Sequence, residues 1–253
     1  MLAVTYNVKV SDGPSDSTVR PIVITITGTN DAAAISGTAT GAVTEDGAAQ
    51  TALGILTVAD VDNGQATFQT PASRVGAYGT FSFNSATGAW RYTLNNAAAS
   101  VQALAYGATV TDVLTVSSID GTTTQSIVIT ITGTNDAAVL TSAVVALIET
   151  DAALTTGGTL TISDVDSPNT FVAQSDVAGN NGSFSITPAG VWTYTAASAF
   201  NNLGVGASIS DTFTVAAADG TTTTVQVTIT GTNDAAVLTA AVVALIEADA
   251  ALT

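Results

Sequence analysis

The sequence contains no cysteine and no histidine. Their absence excludes thiolate and imidazole nucleophiles, the commonest general base, and every metal site that needs sulfur or nitrogen ligands. A metal ion bound by this chain must therefore be held by oxygen atoms. The lack of cysteine leaves the compartment open, because it suits both a reducing cytosol and a secreted protein that is stabilised by other means.

Basic residues are also scarce. The chain has 4 lysines and arginines against 20 acidic residues, which gives a net charge of -16 and an isoelectric point near 4.1. That charge repels nucleic-acid backbones and anionic lipid. No apolar run approaches the length of a membrane span, and the first ten residues lack the basic and apolar regions of a signal peptide. We therefore expect no nucleic-acid partner and no membrane insertion.

The strongest pattern in the sequence is internal repetition. The octapeptide ITGTNDAA occurs three times, with its glycine at positions 28, 133 and 231, so the copies are 105 and 98 residues apart. These spacings match whole β-sandwich domains rather than solenoid units. We predict the end of one repeat at 1–31, full repeats at 32–136 and 137–234, and the first strand of a further repeat at 235–253. Because the sequence begins inside a repeat, we expect Met1 to be a fragment start, and the missing signal peptide is then uninformative about export.

Within each repeat, apolar and polar residues alternate, which is the pattern of half-buried strands. Ile127, Ile129 and Ile131 are one example, while Gly, Asn, Asp and Ser separate the runs. In the first full repeat the predicted strands lie near 33–44, 52–59, 66–70, 78–84, 89–95, 110–118 and 123–132. The predicted fold class is all-β, made of tandem immunoglobulin-like or cadherin-like Greek-key β-sandwiches of about seven strands.

Two segments are open to a helical interpretation. Residues 137–154, AAVLTSAVVALIETDAAL, are rich in the helix formers Ala and Leu. Their counterpart in the preceding repeat contains Gly37 and Gly41 and would make a poor helix, so we predict strands in both places. A helical turn is expected only within 95–109, at the crossover before the sixth strand.

The aromatic residues also have two interpretations. Trp90 and Trp192 are each followed two residues later by a tyrosine, Tyr92 and Tyr194, which could form a stacking platform for sugars. Both pairs occupy equivalent places in alternating strands, and this favours packing in the sandwich core. A buried aromatic cannot also face a glycan.

Acidic residues recur in register at the predicted ends of the repeats. At the end where the chain enters the first full repeat these are Asn30, Asp31, Asp60, Asp62 and Asp120. The opposite end of the first full repeat carries Glu45, Asp46 and Asp112. We expect this end to meet the acidic residues at the entry of the second full repeat, which are Asn135, Asp136, Asp164, Asp166 and Asp219. The far end of the second repeat carries Glu149, Asp151, Asp211, Asn233 and Asp234.

Clustered carboxylates repel one another unless a cation neutralises them. Calcium accepts six to eight oxygen ligands in flexible geometry, whereas magnesium demands a stricter octahedron, so calcium is the predicted cofactor at these ends. A single Asp-Val-Asp or Asp-Gly is a weak signal, because aspartate also bonds its own backbone in turns, and the Asp-Gly pairs alone leave both interpretations open. Asp16 and Asp176 have no counterparts and are expected to be solvated loop charges.

Several motifs together carry a family resemblance that covers essentially the whole chain. They are VTEDG, TVADVD, YGTFSFNSATGAWRYTL, VQALAYG and SSIDGTTTQSIVITITGTND, with their second copies. The sequence resembles VCBS repeats and the cadherin-like domains of RTX-type and biofilm-associated bacterial adhesins. This resemblance implies calcium at each boundary between repeats, bound by a glutamate, an Asn-Asp linker, an Asp-x-Asp and a later aspartate. The matching residues are Glu45, Asn135, Asp136, Asp164, Asp166 and Asp219. The second repeat departs from the pattern, with IETDAA in place of TEDG, so that Asp151, one position further along than Asp46, would substitute for it.

The resemblance further implies a spacer in a large secreted bacterial surface adhesin. Such a spacer would be exported by type I secretion, would lie outside the cell at its surface, and would act in adhesion and biofilm formation. Its partners would be neighbouring repeats of the same chain. Two other functions are considered: a glycan-binding module, and a self-assembling fibre or surface-layer subunit whose exposed strand edges complement head to tail. We do not expect an enzyme, because the paired carboxylates recur without an accompanying set of His, Arg or Lys.

Overall fold

The computed structural model describes residues 1–235 and Ala240, and the chain divides at Thr134 and Asn135 into two compact units. The elements of the first unit are β1 (Leu2–Val8), β2 (Arg20–Ile26), β3 (Ala34–Gly37), β4 (Thr40–Thr44), β5 (Thr51–Ala59), β6 (Gly79–Phe83), β7 (Ala89–Leu94), α1 (Ala99–Gln102), β8 (Thr109–Ser117) and β9 (Thr124–Thr132). Those of the second unit are β10 (Val139–Leu140), β11 (Ala143–Ile148), β12 (Thr155–Thr159), β13 (Ile162–Ser163), β14 (Gln174–Ala178), β15 (Gly182–Ile186), β16 (Val191–Ala196), β17 (Ser208–Ala216) and β18 (Thr222–Thr230).

The first unit contains two sheets that share one core, together with a separate hairpin. One sheet has the strand order β3-β5-β7-β6 and the other has the order β4-β9-β8, while β1 and β2 pair, within residues 1–235 and Ala240, only with each other. The strands pair antiparallel except for β4, which runs parallel to β9. Seven strands in two sheets around a common apolar cluster make an all-β sandwich, as the sequence predicts.

The second unit repeats this arrangement. Its sheets have the orders β12-β16-β15-β14 and β11-β18-β17, with a short pair formed by β10 and β13. Here β11 is the strand that runs parallel, with Val145 opposite Val227 on β18. The prediction of strand rather than helix for 137–154 is confirmed by β10 and β11.

The cores form because every second residue in the C-terminal half of long strands such as β9 and β18 is apolar and buried. Ile127, Ile129 and Ile131 are fully buried on β9, and the residues between them, Val128 and Thr130, lie half-buried on the other face. Trp90 and Trp192 are 3% and 2% exposed, so the prediction that they pack in the core is confirmed. A sugar has no access to these two rings.

Two details of the strand prediction differ from the structure. The predicted strand 33–44 is divided into β3 and β4, which belong to different sheets. Gly37 lies where the chain leaves β3, with φ of 110°, and a Cβ atom there would stand 2.4 Å from the Ile55 carbonyl oxygen, so only glycine fits. The predicted strand at 66–70 is wrong: Phe68 makes one isolated bridge with Ser118 and contributes its buried ring to the core without joining a sheet.

The expected helical turn before the sixth strand is confirmed as α1, whose Val101 is fully buried. Within residues 1–235 and at Ala240, no helix is long and apolar enough to cross a membrane.

Candidate metal-binding residues

Five of the predicted ligands lie together at the end of the first sandwich that the chain enters. We call them the first acidic cluster: Asn30, Asp31, Asp60, Asp62 and Asp120. The Asn30 side-chain amide donates to Asp120 Oδ2 at 3.1 Å. The backbone N–H of Asp31 donates to Asp62 Oδ2 at 2.8 Å. These bonds join the linker to the loop after β5 and the turn after β8, so residues up to 90 positions apart meet at one place.

The second unit has the same arrangement around its own linker. We call Asn135, Asp136, Asp164, Asp166 and Asp219 the second acidic cluster. The N–H of Asp136 donates to Asp166 Oδ2 at 3.4 Å, and the N–H of Ala138 donates to Asp219 Oδ2 at 3.1 Å. The linker backbone of each unit is therefore tied to the carboxylates that the sequence predicts as its neighbours.

The Asp-Val-Asp loops have the same internal geometry in both units. The N–H of Asp62 donates to Asp60 Oδ1 at 2.8 Å, and the N–H of Asp166 donates to Asp164 Oδ1 at 3.0 Å. One oxygen of the first aspartate is thus used in an Asx-type turn, which is the alternative interpretation of this motif. The other oxygen remains available for a different partner.

The protonation equilibria of the clusters are perturbed in both directions. Burial, together with the neighbouring Asp164 carboxylate, raises the pKa of Asp166 above its ordinary value. Burial also acts to raise the pKa of Asp219, but hydrogen bonds from Thr221, Ala138 and Asn135 outweigh it and lower that pKa to about 2.

Several carboxylate oxygens in these clusters are buried without any hydrogen-bond donor among the described residues. They are Asp60 Oδ2, Asp164 Oδ2 and Asp166 Oδ1. A buried acceptor without a partner costs about 1–3 kcal/mol, and more when it is charged. Such oxygens are the donor type that a hard cation such as calcium prefers.

The side chains do not converge tightly. In the part of the chain that the structure describes, no three Asp, Glu, His or Cys side chains are close enough to hold a metal ion as they stand. The donor chemistry therefore fits calcium, while binding would require the loops of each cluster to draw their carboxylates together.

Glu45 and Asp46, at the opposite end of the first sandwich, are held by amide groups that the sequence analysis did not single out. Glu45 is fully buried; its Oε1 accepts from the Gln102 side chain and its Oε2 from the N–H of Thr134, both at 3.1 Å. The N–H of Asp46, which has a φ of 50°, donates to Asn96 Oδ1 at 3.0 Å. Asn96 and Gln102 lie within or beside α1, and the repeated acidic residues alone gave no signal for them.

At the equivalent end of the second sandwich, the acidic residues have fewer hydrogen-bond donors from the described part of the chain. Glu149 is 3% exposed, accepts from the Thr232 hydroxyl at 3.4 Å through Oε1, and has no donor for Oε2 among residues 1–235 and Ala240. Asp151 is exposed, as are Asn233 and Asp234. The repeat that would meet this end, predicted at 235–253, lies almost wholly outside the described residues.

Two of the predicted ligands have a different environment from the one expected. Asp112 is 3% exposed, and its carboxylate accepts from the N–H groups of Ala77 and Tyr78 at 2.7 and 3.0 Å and from the Tyr92 hydroxyl at 2.7 Å. Asp211 is placed alike, with the Tyr194 hydroxyl donating at 3.0 Å. These carboxylates are occupied by protein donors inside the sandwich, so we leave both out of the ligand set.

The backbone around Asp112 is shaped to fit it. A Cβ atom on Gly76 would lie 2.2 Å from Asp112 Oδ2, and one on Gly179 would lie 2.7 Å from Asp211 Oδ2. Burial, reinforced by the adjacent carboxylates, raises the pKa values of Tyr92 and Tyr194 well above the ordinary tyrosine value. Each sandwich therefore holds a buried tyrosine–aspartate pair that serves packing.

Each unit is thus a cadherin-like β-sandwich with acidic residues gathered where the linker enters. The sequence matches the bacterial cadherin-like domain family over residues 30–133 and 135–232, and the chain belongs to that family. No curated protein sequence matches the chain significantly. Family membership indicates an extracellular, adhesion-type module.

Solved structures to which this chain is similar include cadherin ectodomains of low sequence identity. Domains EC1–3 of protocadherin gamma C5 are 12% identical, with a TM-score of 0.46 over 90% of this chain and 77% of that one. Extracellular cadherin domains 3–6 of protocadherin gamma B2 are 14% identical, with a TM-score of 0.42 over 91% and 57%. Domains EC22–24 of mouse cadherin-23 are 12% identical, with a TM-score of 0.41 over 92% and 74%. This chain therefore spans from a little over half to about three quarters of those chains.

Proposed function

We propose that this chain is a calcium-stiffened spacer from a large secreted bacterial surface adhesin that acts in cell adhesion and biofilm formation. The observation that carries the proposal is the set of buried carboxylate oxygens without donors on Asp60, Asp164 and Asp166. These residues belong to clusters tied by hydrogen bonds to the linkers at Asp31 and Asp136. A cation would supply the missing partner.

Calcium bound at these places would act on the linkers directly, because linker residues belong to both ligand sets. In the first set the proposed ligands are Asn30, Asp31, Asp60, Asp62 and Asp120. In the second they are Asn135, Asp136, Asp164, Asp166 and Asp219. Without a cation, the repulsion among carboxylates favours open loops and a mobile linker. Glu45, Asp46, Glu149, Asp151, Asn233 and Asp234 remain predicted ligands at the far ends, on the sequence pattern alone.

The proposal is tested by thermal unfolding during a calcium titration, with magnesium for comparison. Extracellular calcium modules bind with dissociation constants of about 10⁻⁴ to 10⁻³ M. When the free calcium concentration is ten times the dissociation constant, one bound ion adds about 1.4 kcal/mol to the free energy of unfolding. This raises the melting temperature of a domain of this size by about 5–10 °C. No shift at millimolar calcium would contradict the proposal.

Asp164→Asn separates a specific site from general charge screening. The amide keeps the oxygen that accepts from Asp166 and Ser167, at 3.0 and 2.8 Å, and replaces the oxygen that lacks a donor. The variant should be no less stable than the parent in chelator and should lose most of the calcium shift of the second unit. Asp176→Asn is the matched control, because Asp176 is exposed with a φ of 48° that asparagine also adopts. Equal loss of the shift in both variants would indicate screening.

Small-angle scattering tests the stiffening itself. The maximum dimension and its spread should differ between calcium and chelator, and the difference should disappear in Asp164→Asn combined with Asp60→Asn. Identical scattering curves in calcium and chelator, together with a thermal shift in calcium, would support calcium binding but contradict the stiffening of the linkers by calcium.

A further inference from the structure

Two Asn-Gly pairs occur in the chain, Asn63–Gly64 and Asn181–Gly182. Asparagine is a thermolabile residue, and its side chain reacts with the backbone most readily when the next residue is glycine, which has no Cβ atom to obstruct the approach. In a folded protein the reaction requires that the asparagine side chain can turn onto the following backbone nitrogen. The two pairs differ in this respect.

Asn63 and Gly64 lie in an open turn after β5 of the first sandwich. The N–H of Gln65 donates to the Asp62 carbonyl at 3.2 Å, and Gly64 has a φ of 82°. Both turn residues are exposed, and a Cβ atom on Gly64 would meet no atom within 4 Å. Neither the Asn63 side chain nor the Gly64 N–H makes a hydrogen bond with the described residues. The Asn63 side chain can therefore turn onto the Gly64 nitrogen without breaking any bond.

Asn181 and Gly182 are held in place in the second sandwich. The Asn181 side-chain amide donates to the Asp211 carboxylate and to the Ser210 carbonyl, both at 3.2 Å. Its backbone N–H donates to the same carboxylate at 2.9 Å. Gly182 is the first residue of β15, where a Cβ atom would stand 2.5 Å from the Tyr194 hydroxyl oxygen. The Asn181 amide must break its hydrogen bonds in a crowded place before it can turn toward the next nitrogen.

We propose that Asn63 is a site of spontaneous deamidation, which converts it to aspartate and isoaspartate, while the fold protects Asn181. The Gly64 nitrogen attacks Cγ of Asn63, so that a new C–N bond closes a succinimide ring and the Cγ–Nδ2 bond breaks. The proton of the attacking nitrogen leaves with the amide as ammonia. Solvent water then opens the ring: attack at Cγ gives aspartate, and attack at the backbone carbonyl carbon gives isoaspartate. Either product carries a new carboxylate.

The aspartate product adds a negative charge next to the first acidic cluster. Asn63 directly follows Asp62, whose Oδ2 accepts from the N–H of Asp31 in the linker. A further charge there increases the repulsion among the carboxylates and their attraction for a cation. Deamidation should therefore strengthen the calcium response of the first unit, a consequence that rests on the proposed function. The second unit has Ser167 at the position of Asn63 and does not share this change.

Peptide mapping by mass spectrometry tests the reaction. The full-length chain is incubated in chelator at mildly alkaline pH in water enriched in the heavy oxygen isotope, so that each conversion leaves a heavy oxygen atom in the product. Conversion at Asn63 should be at least about tenfold faster than at Asn181, because the hydrogen bonds of Asn181 must open first. In urea the two rates should converge, since the protection is lost with the fold. Asn63→Gln keeps an amide on a longer side chain and should show no conversion at that position.

Three results of this experiment would overturn the proposal. The first is a rate at Asn181 that equals or exceeds the rate at Asn63 in the folded chain. The second is an unreacted Asn63 in the folded chain, whether or not it reacts in urea. The third is a difference between the two sites that persists in urea, because the selectivity would then come from the neighbouring sequence and not from the fold.

The effect on calcium is tested with Asn63→Asp, a uniform sample of the aspartate product. In a Trp192→Phe background, Trp90 fluorescence follows thermal unfolding of the first sandwich. Asn63→Asp should lower the calcium concentration that gives half of the thermal shift at least about twofold, whereas Thr80→Asp, which adds the same charge at an exposed position on β6, should not. Equal behaviour of the two variants would overturn this effect of deamidation.

The two experiments fail independently. Absence of any thermal shift in calcium would contradict the calcium proposal and the effect of Asn63→Asp, while the reaction at Asn63, measured in chelator, would stand. An unreacted Asn63 together with a normal calcium shift would overturn deamidation and support the calcium proposal.

Discussion

Replacing Asp112 by alanine should cost the first sandwich several kcal/mol in the absence of any metal ion. The side chain is 3% exposed, and its removal leaves three donors without their acceptor: the N–H groups of Ala77 and Tyr78 and the Tyr92 hydroxyl. Each unsatisfied buried group costs about 1–3 kcal/mol, and partial entry of water brings the total to about 3–6 kcal/mol. Domains of this size are stable by about 5–15 kcal/mol, so the change is a large fraction of the total.

Urea unfolding in chelator measures this effect unit by unit, because each sandwich contains one tryptophan, Trp90 or Trp192. In a Trp192→Phe background, fluorescence reports the first sandwich alone, and Asp112→Ala should lower its unfolding midpoint strongly. Asp211→Ala should leave that signal unchanged, since its partner Tyr194 is in the second sandwich. If Asp112→Ala does not fold, Asp112→Asn is measured in its place, with an expected loss of about 1–3 kcal/mol. Unchanged stability in chelator combined with loss of the calcium shift would show that Asp112 is a metal ligand, and our argument would be refuted.

Two further predictions follow from the buried aromatic groups. Burial and the Asp112 carboxylate raise the pKa of Tyr92, so the native state holds the phenolic proton more tightly than the unfolded state. The free energy of unfolding should therefore fall as pH rises above the ordinary tyrosine value of about 10, and Tyr92→Phe should flatten that profile in urea unfolding between pH 9 and 12. Trp90→Phe should cost about 1–2 kcal/mol more than Trp192→Phe by circular dichroism, because the Trp90 indole donates to the Thr38 carbonyl at 2.8 Å whereas the Trp192 indole has no acceptor among the described residues. Equal losses would contradict the role given to that bond.

The β-sandwich fold could be predicted because the pattern that indicates each strand lies within a few neighbouring residues and recurs in both repeats. Alternation on β9 identifies Ile127, Ile129 and Ile131 as one buried face without knowledge of their partners. The prediction failed at Phe68, where a buried ring belongs to a loop that joins no sheet. The alternation of apolar and polar residues indicates which side chains are buried. It indicates a β-strand only where the backbone also pairs with a neighbouring strand.

The grouping of the acidic residues was predictable for a topological reason. In a two-sheet sandwich, loops after alternate strands return to the same end, so Asp62 and Asp120 were expected beside the linker. The structure brings them there through hydrogen bonds to Asp31 and Asn30. The amides of Asn96 and Gln102 beside Glu45 could not be found in this way, because neutral polar residues at a helical turn carry no comparable pattern.

The contrast between Asp60 and Asp112 shows where the recurrence of acidic residues stops being informative. Both recur in register in the second repeat, and both were predicted as ligands on that ground. Asp60 follows the last residue of β5, where a side chain is free to turn toward the linker. Asp112 lies in the middle of β8 with the same parity as the buried Leu114 and Val116, so the pleat itself directs its carboxylate into the sandwich. Recurrence shows that a repeat uses a carboxylate, and the position relative to the strand decides whether protein donors occupy that carboxylate, as at Asp112, or leave one of its oxygens without a donor, as at Asp60.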